Sequence, residues 1–320
     1  MNHTRKRIFS ALAVVLLLAA QVSPARATAA PSPSIETQRR VAALYRQQQG
    51  AAAAARAAQP PAPQTQTPLV SRTLANGLEV IVLEDHSVPL VTLELAVKNG
   101  SYTEPPELNG LSHLYEHMFF KPNRAVLEGA EYLKAYDQLG ILSNASTREE
   151  IVNYYFHTTT PNLRVAMNFM RDAARYPLFA EDRLTLEGKA FSERQFEQER
   201  QAVLAELDRH EAEPGHYLEE ALIDRLFYKY PSRKKPGGTR ETVKAATTDT
   251  MRLIQSRYMV PNNAALIVTG DATPAAVFAL AEEFFGDWAK AEDPFVKFPL
   301  VEHPPLARSE GAIIRQPVND

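Results

Sequence analysis

An α+β domain, a mostly antiparallel sheet packed against helices, is the architecture this sequence predicts, on three observations. Two runs of strand-forming residues, 69–74 and 78–83, flank Asn76-Gly77, the dipeptide that best favours a tight hairpin turn. Strand and helix patterns then follow in irregular order rather than as repeated β–α–β units, which argues against a doubly wound parallel sheet. The composition, 45% hydrophobic and 23% charged over 320 residues, is that of a globular chain able to bury a sizeable core.

Taken from the N-terminus, Arg5-Lys6-Arg7 precedes an apolar stretch at 8–20 and then Ala25-Arg26-Ala27, the charge, apolar core and small-residue pattern of a secretory signal cleaved after Ala27. The apolar stretch is shorter than the roughly 20 residues a membrane-spanning helix needs, so export to the periplasm or exterior, with no stable membrane anchor retained, is expected. The formal net charge of −3 becomes more negative once Arg5, Lys6, Arg7 and Arg26 leave with the signal, and nothing in it suits nucleic acid or another polyanion. Residues 28–68, rich in Ala, Gln and Pro, hold too few large apolar side chains to offset the entropy of ordering and read as a tether.

The folded domain is expected over 69–290. After the hairpin comes a strand at 90–97, closed by Asn99-Gly100. Gly110 opens a helix in which Leu111, Leu114, Tyr115 and Met118 recur at helical spacing. A helix at 128–139, strands at 141–146 and 151–159, and helices at 162–175, 193–211 and 217–227 follow. Pro236-Gly237-Gly238 marks a loop, 249–258 a helix, 264–269 an apolar strand and 274–288 a last helix. Residues 291–320 read as a proline-rich linker, with 311–315 beginning another strand of a second domain.

His113 and His117 stand four apart on a helix, so both imidazoles leave one face and can meet a single ion; Glu116 lies beside them. A carboxylate there can take a proton from a water activated by zinc, which is the logic of the HxxEH arrangement of inverted zincins. Without cysteine, any metal must be held by His, Asp or Glu. Catalytic zinc takes three protein donors, and the acidic helix at 199–211 is a natural source of the third, since Glu199, Ala202, Val203 and Glu206 share one stripe. Spacing alone does not choose between its glutamates. His86, His157, His210, His216 and His303 have no partner at ligand spacing and read as ordinary surface or core residues.

Beyond the single motif, several segments resemble signatures of the pitrilysin family of zinc peptidases, which includes insulysin and the mitochondrial processing peptidases. They are Thr73-Leu74-Ala75-Asn76-Gly77-Leu78, Lys98-Asn99-Gly100-Ser101 with Glu104, Gly110 through Met118, Asn144-Ala145-Ser146-Thr147, Glu199 through Glu206, and Gly238-Thr239-Arg240-Glu241 with Tyr258, Pro261, Asn262, Asn263 and Gly270. The resemblance implies the metal-binding domain of such an enzyme, with one Zn2+ per chain held by His113, His117 and Glu206. It further implies Glu116 as general base, Glu199 orienting a ligand without touching metal, and Asn144 and Ala145 beside a peptide substrate that pairs by β-addition.

Two departures stand out. The separation of His117 from Glu206 exceeds the family's usual spacing, and counting alone would select Glu193; an inserted loop at 180–192 restores the register and leaves Glu206 with matching neighbours. The family's second, homologous domain would begin where this sequence stops, so either the chain is a fragment or a partner chain supplies that half. The expected function is that of a zinc-dependent endopeptidase acting on peptides or small unfolded proteins. The alternative expectation is a non-catalytic peptide-binding or partner subunit of a heterodimeric peptidase of the same fold.

Overall fold

The computed structural model describes residues 69–121, 140–177 and 191–315, with isolated positions between 123 and 138. The expected signal, the tether and most of the helix expected at 128–139 lie outside those residues. In chain order the described elements are β1 (Val70–Thr73), β2 (Glu79–Glu84), β3 (Leu90–Val97), α1 (Leu111–Phe119), β4 (Leu142–Thr147), β5 (Val152–Thr159), α2 (Leu163–Arg175), α3 (Phe191–Glu211), α4 (Pro214–Leu226), α5 (Arg240–Ala245), α6 (Thr248–Tyr258), β6 (Ala264–Gly270), α7 (Pro274–Phe285) and the single-turn α8 (Pro294–Lys297). No helix among the described residues is long and apolar enough to cross a membrane.

Asn76-Gly77 makes the expected hairpin: β1 and β2 pair antiparallel, Val70 opposite Val82 and Thr73 opposite Glu79, with Gly77 at φ 91°. Asn76 also reaches across the domain. Its amide donates to the carbonyls of Phe285 at 2.7 Å and Trp288 at 3.0 Å. Those bonds tie the hairpin to the end of α7, which stops at Phe285 rather than running to 288 as expected.

The sheet runs β1-β2-β6-β3-β5-β4, every neighbour antiparallel except β2 and β6. β6 arrives last in sequence yet inserts between β2 and β3, pairing Val82 with Val268 on one side and Leu93 with Val268 on the other. Alternation along the strands gives the sheet two unlike faces. Val91, Leu93, Leu95, Val152, Tyr154, Phe156, Leu266 and Val268 are buried, whereas several neighbouring positions are polar and pair among themselves, Asn153 donating to Glu94 and Thr92 meeting His157.

Helices cover the apolar face: α2 and α7 against β2, β3 and β5, and α1 against β4, β5, α3 and α6. Leu111, Leu114, Tyr115, Met118 and Phe119 turn α1 inward, Phe119 stacking on Tyr154 with ring centroids 3.8 Å apart. That burial fixes the rotation of α1 and leaves His113, Glu116 and His117 on its other side. Short α5 has no counterpart among the expected helices; Thr239 starts it with a capping box. Residues 311–315 form no strand, so that expectation is corrected: among the described residues no strand lies beside them to satisfy a ladder of backbone groups. The preceding proline-rich segment is instead held to the domain, Tyr102 donating to the Val301 carbonyl and the His303 ring lying 4.9 Å from that of Phe227.

Candidate active site

α1 and α3 cross so that the two histidines of α1 face a stripe of α3. Val203 and Leu204 are buried against the core, and that anchorage turns Glu199 and Glu206 toward α1. The stripe legible in the sequence is therefore a packing stripe whose acidic members flank one site.

Glu206 Oε2 lies 3.5 Å from His113 Nε2 and 3.6 Å from His117 Nε2, and one donor atom from each of the three residues falls within 4.8 Å of the others. These separations are long for hydrogen bonds. They are close to the roughly 3.3 Å expected between donors arranged tetrahedrally about 2.0 to 2.1 Å from one zinc. Two imidazoles and a carboxylate, two nitrogens and one oxygen, are a zinc-type donor set. The residues present fit the metal.

The two histidines differ electrostatically. Burial, together with the neighbouring His117 and His210, pushes His113 down to about 4, so at neutral pH it is the uncharged imidazole that can offer a lone pair. Burial alone would lower His117, but Glu199, Glu206 and Glu116 together hold it above its ordinary value. Glu199 accepts from His117 Nδ1 at 3.2 Å and pairs with Lys121 Nζ at 2.6 Å; burial would raise it, and those two partners keep it low. It thus sits behind His117, on the nitrogen that faces away from Glu206, and fixes the ring's tautomer and tilt.

Glu116 does not join the three donors. Its Oε2 accepts from Thr147 Oγ1 at 2.5 Å, and burial raises its pKa despite that bond. A positioned carboxylate poised nearer neutrality is the form a general base takes. Thr147 ends β4, the outermost strand of the described sheet. Ala145 shares the Thr147 side of the pleat and Asn144 the opposite side, where its Oδ1 accepts from the Ala145 N–H at 2.9 Å. A cleft of about 710 Å³ opens from His113 and Glu206 past Thr147, His210 and Tyr217.

The five residues His113, Glu116, His117, Glu199 and Glu206 are thus brought together; Asn144 and Ala145 lie on the strand that leads to them. Sequence reasoning misses Thr147 and Lys121 as the partners of Glu116 and Glu199. Lys121 follows His117 at a helical interval, a usable signal, whereas nothing local pairs Thr147 with Glu116. Glu193 lies 13 positions before Glu206 on α3, about 20 Å along the helix at 1.5 Å per residue.

Comparison with known proteins decides the lineage. Residues 79–239, half of the chain, match the model of insulinase, peptidase family M16. The chain belongs to this family. Residues 245–319 match a second M16 model, described as the peptidase M16 inactive domain. Among curated M16 relatives, zinc protease PqqE of Helicobacter pylori is 26% identical over 248 residues, covering 77% of this chain and 53% of that one. YmxG of Bacillus subtilis, an uncharacterized zinc protease, is 24% identical over 68% of this chain and 49% of its own. A crystal structure of a Helicobacter pylori protease superposes with TM-score 0.62 at 25% identity, over 71% of this chain and 52% of that one. The first half of the periplasmic protease PqqL from Escherichia coli gives 0.62 at 22% identity, over 77% and 51%. The chain spans about half the length of the curated relatives it matches.

A consequence can be measured directly. Above pH 6.5 His113 is neutral whether folded or not. Between 6.5 and about 4 the unfolded chain binds a proton there that the native chain refuses. Stability of the metal-free chain should therefore fall as pH drops through that window. Urea unfolding at steps from pH 7 to 4 is expected to show this slope, and His113→Asn to remove its share.

Proposed function

We propose that the chain is the metal-binding half of an exported M16 zinc endopeptidase that cuts peptides or small unfolded proteins. The observation that carries this reading is the convergence of His113, His117 and Glu206 beside a separate, Thr147-bonded Glu116. His113, His117 and Glu206 would hold one zinc; His113 is already the neutral imidazole a ligand must be, and His117 would give up its Nε2 proton to the metal.

When bound, the metal supplies a Lewis acid that polarises the scissile carbonyl and makes water a nucleophile near neutral pH. Glu116 takes the proton from the attacking water and returns it to the leaving amine, so no covalent enzyme intermediate is needed. Thr147 keeps the Glu116 carboxylate aimed, and Glu199 keeps the His117 ring turned. An extended peptide pairs along the outer edge of β4 at Asn144 and Ala145, which brings its backbone to Thr147 and the reacting carbonyl to Glu116.

The length of the relatives and the half-molecule match to PqqL support a second, homologous half, in the same chain or in a partner, that closes over the cleft. The description of PqqL as periplasmic, with the signal-like N-terminus, supports export. The partner-subunit alternative draws on the match of residues 245–319 to the inactive-domain model, but that segment begins after the last donor residue. Chelation tests the choice. Hydrolysis of a quenched peptide mixture should disappear with the chelator and return with zinc; zinc binding without hydrolysis, alone or with the other half, would favour the alternative.

A further inference from the structure

Gly110 caps α1 at φ +85°, and it can be nothing but glycine. A Cβ there would lie 2.6 Å from Gly238 Cα and 2.8 Å from the Gly237 carbonyl oxygen, while the backbone itself is left-handed. The close approach of the 236–239 loop therefore removes the Ser, Thr, Asp or Asn that ordinarily satisfies the first N–H groups of a helix. Two of those groups nonetheless find an acceptor. Glu104, six residues upstream and 1% exposed, accepts from the Gly110 N–H at 2.8 Å through one oxygen and from the Ser112 N–H at 2.6 Å through the other.

Glu104 is itself held on a fixed frame. Asn99 Oδ1 gathers the Gly100 N–H, the Thr103 hydroxyl and the Ser112 hydroxyl at 2.8, 3.2 and 2.7 Å, and Tyr258 donates to the Thr103 carbonyl at 3.0 Å. Just before Asn99, Lys98 is tied to Asn263 twice: its N–H donates to the Asn263 carbonyl, and its carbonyl accepts from the Asn263 side-chain amide. A rigid path thus runs from the sheet through Asn99 and Glu104 to the first turn of α1. Burial raises the Glu104 pKa, while the two amides and the positive end of the helix favour its charged form; its two oxygens clamp both amides, so it fixes the helix along its axis and in rotation. His113 is the next residue.

Resting on the proposed zinc site, we infer that Glu104 is a positioning residue whose carboxylate sets the register of His113, Glu116 and His117 against Glu206. It touches neither metal nor substrate. Glutamine keeps the size but presents an N–H to one of the two amides, so Glu104→Gln breaks one clamp and opposes two donors.

The test compares Glu104→Gln with Val268→Ala, a buried β6 variant that loses stability without altering a residue of α1, both as the full chain. Amide exchange at residues 113–117 is measured without metal, and zinc affinity by competition with a chromophoric chelator. The expected result is faster exchange in Glu104→Gln alone and zinc binding weakened on the order of ten-fold. In active preparations kcat falls with KM nearly unchanged. Exchange and zinc affinity no worse than in Val268→Ala would overturn the assignment and leave Glu104 a structural residue only. If Glu104→Gln does not fold, Glu104→Asp, too short to reach both amides, is judged by the same two readings. A wild-type chain that binds no zinc would refute the functional reading, and amide exchange would still decide the role of Glu104.

Discussion

Glu116→Gln is expected to lower peptide hydrolysis by about 10²- to 10⁴-fold, the range a general base contributes, while zinc content stays at the wild-type level. The amide is nearly isosteric, and its oxygen can still accept from Thr147, so the cleft keeps its shape. What it loses is the ability to take a proton. Glu116 lies outside the set of three donors, so metal binding has no reason to change. Measured together, zinc by mass spectrometry and turnover with a quenched peptide separate this residue's role from that of its helix neighbours; loss of both would make Glu116 a ligand instead.

Glu206→Ala should lose the metal itself. Two imidazoles from one turn of α1 remain, and two donors do not make a catalytic zinc site. The expected weakening exceeds the roughly 10- to 100-fold that loss of a ligand's outer partner causes, which is the smaller effect predicted for Glu199→Gln. Glu193→Ala, at the spacing that counting suggests, should bind zinc as the wild type does. Isothermal titration of the wild type and the three variants orders them. Loss in Glu193→Ala equal to that in Glu206→Ala would contradict Glu206 as the third donor.

Much of the fold and the site is legible in the sequence alone because it depends on near neighbours along the chain. Asn76-Gly77 dictates a hairpin through its own backbone preferences, and His113 with His117 share a helix face by geometry alone. The antiparallel character of the sheet follows from that hairpin and the irregular order of elements. What is not legible rests on contacts between distant segments. β6 enters between β2 and β3 from far along the chain, and its parallel pairing with β2 has no local signature. Thr147 and Glu116 meet only because β4 passes beside α1. Glu206 is separable from Glu193 by neighbour identity, not by distance, since an insertion changes a count without changing which helix face meets the histidines. Glu104 stands in a recognisable segment, yet its function depends on the close approach of Gly110 and Gly238, which no spacing reveals. The strand expected at 311–315 fails for the opposite reason: a strand pattern needs a partner to become a strand.

The central claim is that three donors and a separate base make one hydrolytic zinc site. It is tested most directly by titrating zinc into the metal-free chain and following peptide hydrolysis, alone and with a homologous second half, for wild type and Glu116→Gln in parallel. One zinc per chain, hydrolysis rising with that equivalent, and near-complete loss in Glu116→Gln are the predicted results. Zinc uptake without hydrolysis in every pairing, or turnover undiminished in Glu116→Gln, would contradict it.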